Sequence, residues 1–213
     1  MLQIDLYTEI SCPWCIVGQY RLDKVLNERF PNLVVDIHHH PILLMPDAPA
    51  AGLHIPDLLR NRYGVTDPQA VFARPEAEAR ASGLDLDLSL QRYAYPTQAA
   101  HALIQEAGER GTQHALAVAI SNAYFLEAKN ISDADVLADI AEKHGFEYAE
   151  AKAIAVDPAD HDLVEEAAAR AAAAGVRMVP HLVFGGFATI TGSRTEDEIA
   201  AAINAATDAV APR

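Results

Sequence analysis

The chain has 213 residues, enough for one domain or one domain carrying an insertion. Its 51% hydrophobic and 22% charged residues are the mix of a globular protein and exclude a disordered chain, which lacks apolar side chains to bury. No run of about 18 uncharged apolar residues occurs, which excludes a membrane-spanning helix. The net charge of −14 (16 Lys and Arg against 30 Asp and Glu) repels phosphate backbones and excludes general nucleic-acid binding.

The chain opens MLQIDLYTEISCPWC. Leu2, Ile4 and Leu6 alternate with Gln3, Asp5 and Tyr7, the period of a half-buried strand. A secretory signal would open on basic residues and a continuous apolar run. Here Asp5 and Glu9 interrupt and no basic residue precedes Cys12, so the expected location is the cytoplasm. A reducing compartment disfavours a permanent structural disulfide.

A short loop leads into a helix over 13–30, with Pro13 at a first position where a missing N–H costs nothing. Leu22, Val25 and Leu26 give that helix a buried stripe, and Pro31-Asn32 breaks it. Residues 33–37 read as a second strand, making a βαβ unit with a parallel pair. His38, His39 and His40 follow at the end of that strand, expected to be solvated or half-buried.

A Pro-rich loop occupies 41–52, after which strand signal fades and helical windows appear at 53–63, 67–82, 96–109, 112–127 and 133–144. An Ala-rich helix is expected over 158–174, ended by Gly175. Residues 181–184 and 187–191 flank Gly185-Gly186, a hairpin signal. Thr195 and Glu198 have capping-box spacing for a last helix. The order β-α-β, helices, α-β-β-α describes a small α/β sheet carrying an inserted helical block.

Both cysteines of the chain lie at 12 and 15, in Cys-Pro-Trp-Cys at the start of the first helix. A helix N-terminus carries partial positive charge and unpaired N–H groups, which favour a thiolate on Cys12. Cys12 is therefore expected to be the exposed attacking sulfur and Cys15, one turn on, the buried resolving one. Pro13 and Trp14 between them are candidate substrate contacts, Trp14 partly exposed. A Cys-x-x-Cys is also half a zinc site, but two more ligands would be needed, and the adjacent histidines at 38–40 point alternately to opposite faces of a strand. Neither a metal nor a cofactor is expected.

These segments resemble the DsbA family of thiol oxidoreductases, and its cytoplasmic FrnE-like branch in particular. The resemblance is carried by CPWC at 12–15, LLMPDAPAAG at 43–52, YPTQAAHALIQEAGERG at 95–111, ISDADVLADIAEKHG at 131–145 and VPHLVFGGFATITGS at 179–193. It implies an α/β, thioredoxin-like fold with an inserted all-α domain, divided as 1–45 with 158–213 and an insertion at 46–157. It further implies a cis Val179–Pro180 peptide facing the dithiol, with the Val179 backbone and His181 beside the substrate. His101 lies near a segment that borders the active-site groove in that family, which makes it a candidate substrate contact, with a place in the core or at the surface as the alternative reading. His181 departs from the Phe or Thr of many relatives, and the second cysteine pair of some FrnE-like proteins is absent.

The activity implied is dithiol–disulfide exchange with protein or small-molecule thiols and disulfides, glutathione among them. The alternative within the fold is a glutathione-dependent isomerase or transferase, of the 2-hydroxychromene-2-carboxylate isomerase or kappa glutathione transferase type. Those relatives usually carry Ser where this chain has Cys12. A metal-binding or chaperone-like module is a third reading. Neither nucleic acid nor membrane is an expected partner, and the oligomeric state is left open, a homodimer included.

Overall fold

The computed structural model describes residues 1–210; the end of the proposed sheet domain, 211–213, lies outside the described residues. A four-stranded sheet has the order β2-β1-β5-β6, from strands β1 (Leu2–Thr8), β2 (Val35–Pro41), β5 (His181–Phe184) and β6 (Ala188–Thr191). β1 pairs in parallel with β2, while β5 pairs antiparallel with both β1 and β6. A two-residue ribbon joins β3 (Leu53–His54) to β4 (Tyr93–Ala94).

Alternation in β1 puts Leu2, Ile4, Leu6 and Thr8 on one buried face. That face packs with Leu22 and Val25 of α1 (Pro13–Arg29) and with Ile199 and Ile203 of α9 (Glu196–Val210). The second core is helical and spans α3 (Pro68–Ser82), α4 (Gln98–Glu106), α5 (Gln113–Phe125), α6 (Ala134–Ala141) and α7 (Tyr148–Val156). Ile10, Ile16 and Val17 belong to this helical core, not to the sheet core. The Cys12–Cys15 turn therefore lies on the seam between the two cores. Two more helices, α2 (Ile55–Tyr63) and α8 (Pro158–Ala173), complete the chain, and α8 packs against both α4 and β2.

Several elements differ from the sequence expectation. β2 runs on through all three histidines to Pro41, because its seven residues match β1 from Leu2↔Val35 to Thr8↔Pro41. The polar side chains are tolerated because each finds a partner. His38 Nε2 lies 2.9 Å from Asp36 Oδ2, and His40 Nε2 lies 2.9 Å from Asp5 Oδ1. His39, on the other face, reaches His114. The helix expected from 53 starts at Ile55, since Leu53–His54 are taken up by pairing with β4. α7 was not anticipated: it is nine residues long and buries only Ala151 and Ala155, too little for a periodic apolar signal.

The hairpin and the last helix follow the expected local rules. Gly185 and Gly186 have φ of 56° and 76°, the left-handed values a tight two-residue turn requires. Thr195 and Glu198 form reciprocal capping bonds, Glu198 N–H to Thr195 Oγ1 at 3.3 Å and Thr195 N–H to Glu198 Oε2 at 2.9 Å.

Arg21, 4% exposed, joins the two cores. Its Nε donates to Ser82 Oγ at 2.6 Å, Nη2 to Glu78 Oε2 at 2.6 Å, and Nη1 to the Arg194 carbonyl at 3.0 Å. Arg21→Ala should cost about 1.5–3 kcal/mol, the worth of buried bonds to a charged donor. The check is urea unfolding, read as a lower midpoint at unchanged slope. Arg21→Lys should recover less than half, because an ammonium cannot reproduce the fork; full recovery would contradict the role assigned to the guanidinium.

Candidate functional site

β1 ends at Thr8, and the chain turns through Glu9, Ile10 and Ser11 into α1. Cys12 is the N-cap, in extended conformation (φ −89°, ψ 118°), followed by Pro13 in the first turn, which contains no acidic residue. The Cys12 carbonyl accepts the Cys15 N–H at 2.9 Å, which closes the first turn and puts both sulfurs on one side. Both cysteines are free thiols.

Their environments differ. The Cys12 thiol is held below its ordinary range, first by the hydrogen bond from the Cys15 side chain, then by the backbone N–H groups of Cys15 and Trp14; burial and the Glu9 charge act against this. Cys15 is pushed well above its ordinary range, first by burial and then by its bond and proximity to Cys12. A thiolate on Cys12 beside a protonated Cys15 is the arrangement expected of an attacking sulfur and its resolving partner.

Cys12 is not exposed as the sequence suggested. It is 8% exposed and Cys15 4%. Its neighbours Ile10 and Ile16 are both core residues of the helical block, which draws the loop inward and leaves Cys12 a narrow opening. Trp14 remains half-buried, with the Arg74 guanidinium 5.4 Å from its ring centroid.

The Val179–Pro180 peptide is cis. Pro180 is buried and rests on α1 at Gly18, one turn beyond Cys15. A Cβ on Gly18 would lie 2.8 Å from Pro180 Cγ. Glycine at this position is what lets the proline loop reach the same end of α1 as the dithiol. The Pro180 carbonyl accepts the Gly192 N–H at 2.8 Å, tying the loop to the end of the hairpin. His181, half-buried, is held by Thr191 Oγ1 at 2.9 Å and meets Tyr7 edge-on.

An apolar cavity of about 240 Å³ opens beside the motif. Ser11, Pro13 and Trp14 form one wall; Leu58, Phe72 and Phe125 stand among the others. None of His101, Val179 and His181 lines it.

His101 does not border a groove. Residues Gln98–Ile104 of α4 are all buried, and His101 is 2% exposed, so it has no surface to offer a substrate. Its Nε2 instead lies 3.8 Å from Oε1 of Glu9, itself 1% exposed. In the sequence Glu9 stands out only as a break in an apolar run. The available signal was an acid three residues before Cys12, following the alternating strand.

A second buried histidine is His39. Its Nε2 lies 2.9 Å from His114 Nδ1, and His114 Nε2 lies 2.6 Å from Asp23 Oδ1. Burial first, and then the charges of His114, His101 and His40, depress His39 well below its ordinary value. The folded state thus keeps it neutral while the unfolded chain takes up a proton near pH of about 6.5. Its stabilising contribution is complete above that pH and declines as pH falls toward the depressed folded value. The loss should approach about 1.4 kcal/mol per pH unit. Denaturant titrations on both sides of that pH should show a shallower acid decline in His39→Gln; an identical slope would contradict this.

The DsbA-like thioredoxin domain profile matches residues 3–204. The chain belongs to the DsbA-like thioredoxin family. Among solved structures it is similar to a probable DsbA oxidoreductase from Streptomyces coelicolor, at 26% identity and TM-score 0.87 over 100% of this chain and 93% of that one. It also shares its fold with a cytosolic disulfide reductase, DsbM, from Pseudomonas aeruginosa, solved with glutathione. That match has 14% identity and TM-score 0.64 over 97% of this chain and 96% of that one. A 2-hydroxychromene-2-carboxylate isomerase matches at 16% identity and TM-score 0.66, over 92% of this chain and 90% of that one. No curated protein sequence matches the chain. Family membership agrees with the observed α/β architecture and its helical insertion. The described residues include no helix long and apolar enough to cross a membrane.

Proposed function

We propose that this DsbA-like protein is a dithiol–disulfide oxidoreductase of the FrnE-like branch that works in the cytoplasm. The observation that carries the reading is the division between Cys12, favoured as thiolate, and Cys15, favoured as thiol, in one turn at the start of α1. The Cys12 thiolate attacks one sulfur of a substrate disulfide, and the other sulfur leaves as a thiolate that takes up a proton. Cys15 then gives up its proton and attacks Cys12 Sγ, expelling the second substrate thiolate. The dithiol loses two electrons and the one proton of Cys15, and the substrate leaves as one thiol and one thiolate. The reverse sequence oxidises a substrate dithiol.

Pro180 bounds the site, and Val179 offers backbone groups that no hydrogen bond engages among the described residues, a feature that supports pairing with a substrate strand. Pro13 and Trp14 would contact the substrate from the cavity side. Glutathione is a reasonable exchange partner, since the family member solved with it shares the fold. The proposed division is a sheet domain at 1–45 with 158–213 and a helical insertion at 46–157; Ile10, Ile16 and Val17 of the first segment pack across it into the helical core. The test is loss of exchange with glutathione disulfide in Cys12→Ser, with the fold retained by circular dichroism.

The cavity beside Trp14 favours a second reading, a glutathione-dependent isomerase or transferase of a small apolar substrate. That activity would need glutathione and survive Cys15→Ser, whereas dithiol exchange would not.

A further inference from the structure

The Glu9–His101 pair lies directly behind the dithiol and has no part in the exchange steps. The Glu9 main chain is already part of the redox centre, since its carbonyl accepts the Cys12 N–H at 3.1 Å. Its side chain is fixed as firmly. Oε1 accepts the Ser11 N–H at 3.2 Å and Oε2 the Leu44 N–H at 3.0 Å. Across from them, His101 Nε2 stands 3.8 Å from Oε1 and has no hydrogen-bond partner among the described residues.

A carboxylate taken this far out of water is strongly disfavoured unless partners compensate it. Two backbone N–H groups and one facing imidazole are what this site provides. Any charge left on the pair then acts on the sulfurs through a dry interior, where Coulomb interactions are strong.

We infer that Glu9 and His101 are a positioning pair for the redox centre, in which the buried Glu9 charge limits thiolate formation on Cys12 and the His101 imidazole offsets that charge. The groups facing Glu9 are Cys12 and Cys15 from α1, His101 from α4 and Tyr124 from α5. His39 of β2 faces His101. Burial keeps Tyr124 and His39 uncharged, which leaves the Glu9 carboxylate as the charge buried beside the sulfurs. The direction agrees with the opposition of Glu9 to ionisation of both cysteines. The inference rests on the dithiol reading above and adds to it the residues that tune the thiolate.

The test is ultraviolet thiolate titration of the reduced protein as wild type, Glu9→Gln, His101→Asn and the double variant. Removing the Glu9 charge should increase the Cys12 thiolate fraction on the acid limb by about tenfold. It should move the exchange equilibrium with glutathione toward the reduced protein by a similar factor. His101→Asn should shift the titration when Glu9 is present and have no effect in the Glu9→Gln background.

A Glu9→Gln titration unchanged from wild type, or moved the other way, would overturn the inference. So would a His101→Asn shift of equal size in both backgrounds. Should Glu9→Gln fail to fold, His101→Gln supplies the same readout with the carboxylate in place: an unchanged titration overturns the pair. Thiolate absorbance does not depend on turnover. Failure of the pair is therefore distinct from failure of the redox reading, which Cys12→Ser exchange reports.

Discussion

Cys12→Ser should show no dithiol exchange above background while keeping its fold, and Cys15→Ser should accumulate a stable mixed disulfide with its substrate. The asymmetry follows from the two environments. Cys12 caps α1, accepts a hydrogen bond from Cys15 and is aided by the N–H groups of the first turn. A serine hydroxyl there does not ionise at neutral pH and cannot be carried through a disulfide. Cys15 is needed only after the mixed disulfide has formed, so its loss stops the reaction one step later. Mass spectrometry of protein mixed with glutathione disulfide separates the outcomes: a glutathione adduct on Cys15→Ser and none on Cys12→Ser. Normal turnover by Cys12→Ser would overturn the reading.

Gly18→Val should reduce exchange by about a hundredfold, the effect of misplacing a reacting centre by about 1 Å. Two opposing contributions decide the sign at this position. A larger residue in mid-helix gains up to about 1 kcal/mol in helix propensity over glycine. Against this, a Cβ would stand 2.8 Å from Pro180 Cγ, closer than side chains pack, and forcing it in costs about 1–3 kcal/mol. Valine adds two methyl groups to that contact, so the steric cost wins and the proline loop moves off α1. Gly18→Ala, where the two contributions nearly cancel, should fall between wild type and Gly18→Val. Exchange kinetics checks the series; wild-type rates in Gly18→Val would show that the Pro180 contact does not position the site.

The parts of this architecture that depend on local rules are legible in the sequence. Alternation reveals β1, paired glycines the hairpin turn, Thr195 with Glu198 the last helix start, and Pro13 after Cys12 the position of the dithiol on α1. The parts that depend on distant partners are not. His38 and His40 are poor strand signals on their own; Asp36 holds His38 by a hydrogen bond, and Asp5 and Tyr7 of β1 hold His40, one by a hydrogen bond and the other by stacking on it. His101 was expected at a groove because its segment resembles one that borders the site. Its burial depends on α4 being covered on every side, which neighbouring residues alone do not encode. The role of Glu9 is illegible in the sequence for a related reason. An acid near a strand end is ordinarily solvated, and only the folded chain places Leu44 and His101 around it.

The division of labour between the two sulfurs is tested most directly by competitive alkylation of the reduced protein at pH of about 7, where only thiolates react quickly. Brief exposure to iodoacetamide followed by peptide mapping should find Cys12 modified and Cys15 unmodified. Equal labelling of both, or labelling of Cys15 first, would contradict the account.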